Sequence, residues 1–146
     1  MTTAPAPNHF SGGRPLSGRS DLIVRAMRPD DVETLALLEG RVEESPWSAG
    51  NFLDSLNTGH LCLVVQSASA SASEAGLAAW AVASLVLDES ELLIIGTAPS
   101  MQRQGIGRAL LAELEAELAR RGVAAVGLER RADAVPDGGA GDGGRE

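Results

Sequence analysis

Tyrosine is missing from this 146-residue chain, whose aromatic content amounts to two tryptophans and two phenylalanines. No phenol is therefore at hand to give up a proton in catalysis. Cysteine occurs once, at Cys62, which excludes an internal disulfide and leaves no thiolate cluster for a structural metal; no metal is expected. Basic residues are scarce: 12 Lys and Arg stand against 20 Asp and Glu, for a formal net charge of -8. That sign argues against phosphate backbones, so no nucleic acid partner is expected. It would steer a basic peptide favourably, yet solubility alone accounts for it. No apolar run reaches the roughly 20 residues a membrane span needs, and the first 20 residues lack the apolar stretch of a signal peptide. A lone cysteine and no membrane segment predict a protein of the reducing cytoplasm.

What is present suits one folded domain, with 44% hydrophobic and 22% charged residues. Three stretches depart from that composition. Met1 to Ser20 holds Pro5, Pro7 and Pro15 with Gly12, Gly13 and Gly18 and shows no period, which predicts a flexible leader over 1–20. Ser67 to Glu74 reads SASASASE, a low-complexity loop between strands. Arg130 to Glu146 places Gly138, Gly139, Gly141, Gly143 and Gly144 among Asp and Arg, which predicts a disordered tail over 130–146.

Residues 21–129 read as alternating strands and helices, an α/β domain. Leu22 to Met27 favours a strand. Pro29, with Asp30 and Asp31 in the first turn, starts a helix on which Val32, Leu35, Leu38 and Val42 recur at helical spacing. Ser48 is the expected N-cap of a second helix through Phe52, Leu53 and Leu56. His60 to Gln66 and Gly76 to Leu87 flank the SASASASE loop as a hairpin. Glu91 to Thr97 is expected to be the most buried strand, because Leu92 to Ile95 is continuously apolar. Gly107 to Arg121 carries Leu110, Leu114 and Leu118 on one helical face and stops at Gly122. Val123 to Glu129 returns as a strand.

The chemistry concentrates in Pro99 to Arg108, PSMQRQGIGR, between the apolar strand and the amphipathic helix. A glycine-bearing strand-to-helix turn leaves backbone N–H groups free at the helix start, where the dipole favours an anion. Gly105 and Gly107 permit close approach, and Arg103 and Arg108 can add charge-assisted contacts. On spacing alone the alternative stands that these glycines merely turn the chain. Two rival motifs fail: there is no Gly-Lys-Ser/Thr ending, and Leu110 stands where a dinucleotide fingerprint needs its third glycine.

Gln102-Arg103-Gln104-Gly105-Ile106-Gly107 after a strand, opening a helix that begins Arg108-Ala109-Leu110-Leu111, resembles the coenzyme A signature of the GNAT acetyltransferase superfamily. Pro46-Trp47-Ser48 with Phe52, Val86-Leu87-Asp88-Glu89, and Arg121-Gly122-Val123-Ala124 leading to Leu128-Glu129 resemble its ribosomal-protein-alanine N-acetyltransferases in particular. The likeness covers about Leu22 to Glu129. It implies a mixed sheet with splayed central strands, Glu91 to Thr97 and Val123 to Glu129, admitting the pantetheine arm of acetyl-coenzyme A. It also implies a ribosomal protein N-terminus as acceptor.

The resemblance assigns roles by position. Gln102, Arg103, Gln104, Gly105, Ile106, Gly107 and Arg108 would hold the pyrophosphate. Gly96 would mark a bulge freeing a backbone N–H among Ile95, Gly96 and Thr97 to polarise the thioester carbonyl. Glu129 matches the family's base, and a base is needed because an α-amine with a pKa near 8 is largely protonated at neutral pH. A carboxylate simply ending a strand is the bland alternative. Trp47 packs over the core and, in the matching segment, lies beside the acceptor groove. His60 is read as a strand start, His9 as part of the leader, and Glu89 with Glu91 as a solvated edge.

After Glu129 the family pattern continues with a tyrosine-bearing helix and two strands, whereas here Arg131-Ala132-Asp133 begins that match and then gives way to Gly and Asp. The family's tyrosine general acid is thus missing. A thiol of pKa near 8.5 can leave as thiolate, and such acids contribute roughly 10²- to 10⁴-fold. Without the last strands, Val123 to Leu128 would form an exposed apolar edge inviting self-association. A frameshift or truncation would explain the change of composition, and the coding DNA tests it. Two further readings follow: a catalytically dead acetyl-coenzyme A binding fragment, and a GNAT enzyme acting on a small amine.

Overall fold

The computed structural model describes residues 13–69 and 76–123. Its strands are β1 (Arg14–Leu16), β2 (Arg19–Ala26), β3 (Leu61–Ser67), β4 (Leu77–Val86) and β5 (Glu89–Thr97), and its α-helices are α1 (Val32–Val42), α2 (Ala49–Thr58) and α3 (Ile106–Arg120). The strands form one five-stranded sheet in the order β1-β2-β3-β4-β5, every neighbouring pair antiparallel. The parallel, splayed partner expected at Val123 to Glu129 lies beyond residue 123, outside the described residues, as does the 130–146 tail.

Period-two alternation sorts the central strands onto two faces. Leu61, Leu63 and Val65 of β3 and Ala79, Ala81 and Ala83 of β4 join Ile106, Leu110, Leu114 and Leu118 of α3 in one core. Cys62 and Val64, with Trp80 and Val82, turn the other way and meet Val32 and Leu35 of α1 and Phe52 of α2 in a second. Both faces of β3 and β4 are therefore covered, so these strands read as continuous apolar runs. The expectation that Glu91 to Thr97 would be the most buried strand is corrected: Leu93 to Thr97 are half-buried, because β5 ends the described sheet, while β3 and β4 lie inside it.

Helix ends follow the expected chemistry. Ser48 caps α2: its Oγ accepts from the Asn51 N–H at 3.1 Å, and Asn51 Oδ1 accepts from the Ser48 N–H at 2.9 Å. At the other end of α3, Gly122 takes a left-handed φ of 73°, and the Gly122 and Val123 amides close back on Ala119 and Leu118.

The predicted leader needs a correction over its second half. Residues 1–12 lie outside the described residues, but Arg14 to Leu16 pair with β2, and Leu16 is 1% exposed. The proline and glycines that suggested a loose chain are turn and edge devices. Pro15 sits on the sheet's edge strand, where a missing N–H costs nothing, and Gly18 takes the left-handed conformation (φ 81°) in the tight turn between Leu16 and Arg19.

Candidate active site

Between β5 and α3 the chain makes one 3-10 turn, Pro99–Met101, and then the segment Gln102 to Gly105. Two residues here are left-handed, Arg103 at φ 68° and Gly105 at φ 78°. Alternating backbone handedness gathers successive N–H groups into an anion-binding concavity. A non-glycine residue pays about 1–2 kcal/mol for the left-handed region, so Arg103 carries strain where function would explain it. The N-cap of α3 is Gly105, which has no side chain to engage the first helical amides, and a Cβ placed there would meet nothing within 4 Å. The space beside Gly105 is open.

Gly107 explains how the turn stays close to the sheet. A Cβ at that position would lie 3.2 Å from Thr97 Oγ1, so the missing side chain seats the start of α3 against the end of β5. Gln102 Nε2 donates to the Thr97 carbonyl at 3.2 Å. Gln102 and Gly107 thus lie beside Thr97, and Arg103, Gln104, Gly105, Ile106 and Arg108 belong to the same turn and helix start. Arg19, at the start of β2, is an addition that sequence reasoning missed: it is held by Asp21 and donates to Gln104 Oε1 at 3.2 Å. No local pattern could reveal a contact spanning 85 positions.

The expected bulge is present but not at Gly96. Pairing runs regularly from Ala79–Thr97 through Trp80–Gly96 to Val82–Ile94, then shifts so that Ala83 faces Leu92, leaving Leu93 as the extra residue. Gly96 is needed for a different reason: a Cβ there would come within 2.5 Å of the Trp80 indole carbons. The indole fills the place a side chain would take.

That indole leads to a second missed residue. Trp80 Nε1 donates to Glu39 Oε1 at 2.9 Å, and the Trp47 N–H donates to Glu39 Oε2 at 3.5 Å. Glu39 is 1% exposed. Burial pushes its carboxyl up to about 7; the bonds from Trp80 and Trp47 oppose the rise, and nearby Glu43 adds to it. A signal did exist, since Glu39 follows Leu35 by four and precedes Val42 by three on the inward stripe of α1. Trp47 is half-buried and meets the Phe52 ring edge-on at 5.2 Å.

The remaining candidates separate cleanly. His60 precedes β3, with Nδ1 3.2 Å from Ser55 Oγ, and burial lowers its pKa. Glu89 and Glu91 are exposed on the β4–β5 hairpin. Burial pushes the Cys62 thiol up to about 12, which makes it a core residue rather than a nucleophile. Glu129 and His9 lie outside the described residues. Among the described residues no three His, Cys, Asp or Glu side chains gather as a metal site, and no helix is long and apolar enough to cross a membrane.

An antiparallel sheet with helices on both faces, and a glycine turn opening α3 beside β5, the last described strand, give the architecture, and the sequence assigns its class, an acyltransferase. It matches the acetyltransferase (GNAT) family over residues 30–136, and the chain belongs to that family. It is 38% identical over 109 residues to ribosomal protein bS18-alanine N-acetyltransferase of Escherichia coli K12, covering 75% of this chain and 70% of the enzyme. The Salmonella typhimurium LT2 counterpart is 37% identical over 102 residues, covering 70% and 65%. The crystal structure of the E. coli S18-alanine enzyme superimposes with a TM-score of 0.63 at 33% identity, covering 70% of this chain and 63% of that one. The chain thus spans less than two thirds of that crystallised enzyme. The PaiA N-acetyltransferase of Thermoplasma acidophilum, solved with coenzyme A, shares the fold at a TM-score of 0.57 and 17% identity.

Proposed function

We propose that this chain transfers an acetyl group from acetyl-coenzyme A to a protein N-terminal amine, with the terminal alanine of a ribosomal protein as acceptor. The observation that carries the reading is the turn at Gln102 to Arg108, with left-handed Arg103 and Gly105 opening onto an uncapped helix start. The acceptor is proposed from the likeness to the bS18-alanine enzymes. The lone Cys62 and the bacterial origin of those relatives support a cytoplasmic setting.

In this reading the amides from Gln102 to Gly107 hold the pyrophosphate, and Arg103 and Arg108 add charge. Acetyl-coenzyme A supplies the acyl group as a thioester. Without a bulge at Gly96, the backbone N–H groups among Ile95, Gly96 and Thr97 that point away from β4 polarise its carbonyl. Trp47 borders the groove for the acceptor, and Glu129 takes the amine proton as nitrogen attacks the carbonyl carbon. The carbon–sulfur bond breaks and its electron pair leaves on sulfur, which a thiol of pKa near 8.5 tolerates without a tyrosine acid.

One observation favours a second reading: the chain has no tyrosine, and turnover lowered by the roughly 10²- to 10⁴-fold that a general acid contributes would leave acetyl-coenzyme A binding as the main property. An acetylation assay on an alanine-initiated peptide, run beside a polyamine control and a coenzyme A thermal-shift titration, separates the possibilities. Peptide acetylation with thermal stabilisation is expected. Stabilisation with no transfer contradicts the enzyme reading, and transfer to the polyamine alone contradicts the acceptor.

A further inference from the structure

Glu39 joins two parts of the molecule that the functional reading puts on opposite sides of the reaction. Its Oε1 accepts from the Trp80 indole, whose ring occupies the space beside Gly96 on β5. Its Oε2 accepts from the backbone of Trp47, in the connection between α1 and α2. Trp47 in turn leans on Phe52 of α2. An ionisable side chain that is 1% exposed is costly to retain in a core unless it does something an apolar residue cannot. A carboxylate is an acceptor at both oxygens, which suits two N–H donors arriving from different elements.

We propose that Glu39 is a positioning residue that fixes the acceptor-side loop carrying Trp47 against the acyl-side strand carrying Gly96, with Trp80 as the intervening strut. The proposal rests on the acceptor groove lying at Trp47, as in the functional reading above. Glu39 need not touch substrate. It sets the distance between the wall that receives the amine and the strand end that receives the thioester, and small errors in that distance cost rate steeply.

Glu39→Gln keeps the shape but offers one acceptor and one donor, so it satisfies Trp80 or Trp47 and not both. In the full chain at pH 8, where Glu39 is ionised, amide hydrogen exchange at Trp47 is expected to accelerate about tenfold, in line with loss of a hydrogen bond to a charged group. The KM for an alanine-initiated peptide should rise by a similar factor, while the dissociation constant for acetyl-coenzyme A stays within about twofold. A general loss of fold would move both constants together. Unchanged exchange at Trp47, or peptide and acetyl-coenzyme A constants that shift in parallel, overturns the proposal. Should Glu39→Gln not fold, Trp80→Phe removes the indole donor to Glu39 Oε1, freeing the carboxylate from β4, and keeps a ring beside Gly96; faster exchange at Trp47 is again the expected result, and no change overturns it. If the unmodified chain transfers nothing, the functional reading fails, and the exchange comparison alone still decides the tether.

Discussion

At Gly96 even a methyl group has nowhere to go, because the Trp80 indole already fills the position 2.5 Å from an added Cβ. Gly96→Ala should therefore destabilise the fold by about 1–3 kcal/mol through overpacking, measured by urea unfolding followed through Trp47 and Trp80 fluorescence. Glu39 gives a pH signature. Its carboxyl titrates at about 7 in the folded chain against 4.5 for the ordinary group, so the folded state holds this proton more tightly than the unfolded state. The associated stability is fully present below about 4.5 and is lost as pH rises toward about 7, on the order of 3 kcal/mol in all. Urea unfolding at pH 5 and pH 8 should show this fall in the wild type and a flatter profile in Glu39→Gln. Equal slopes in the two proteins would contradict it. Residues of this kind were the least legible in the sequence. The glycine at 96 was visible, but its reason was not, since the clash partner comes from another strand.

Elements are more legible in the sequence than single residues, because a helix or strand declares itself through local period. The inward face of α3, the N-cap at Ser48, the stop at Gly122 and the β3–β4 hairpin all follow from spacing and turn chemistry within a few positions. The exception is the β1–β2 hairpin. Pro15 and Gly18 raised the local disorder signal, while the burial that makes the hairpin stable comes from distant partners. Leu16 lies in the α3-side core, and Arg14 pairs with Glu113 on α3 at 2.6 Å. Leu16→Ala should cost about 2–5 kcal/mol if the hairpin belongs to the folded unit; a change below about 0.5 kcal/mol would mean the segment is dispensable. The buried pair Arg25–Asp31 at 2.9 Å shows the same limit. Asp31 reads in sequence as a helix-dipole carboxylate, and only the fold brings β2's guanidinium against it.

For the whole molecule, the family was legible because its most informative segment is contiguous: strand, glycine turn and helix follow one another over residues 91–121 with no gap. The cluster of Glu39, Trp47, Trp80 and Gly96 is not legible, since these residues meet only when α1, its loop and two strands fold together. The proposed function depends on the turn's backbone. Gly105, at φ 78°, cannot accept a branched side chain without backbone strain that would displace the amides of the turn. Calorimetric titration of the folded full chain with acetyl-coenzyme A, beside Gly105→Val, is the most direct test. The account predicts saturable binding by the wild type and at least tenfold weaker binding by the variant, equivalent to about 1.4 kcal/mol. Folded wild-type protein that gives no binding heat at millimolar acetyl-coenzyme A, or a Gly105→Val chain that binds equally well, would contradict it.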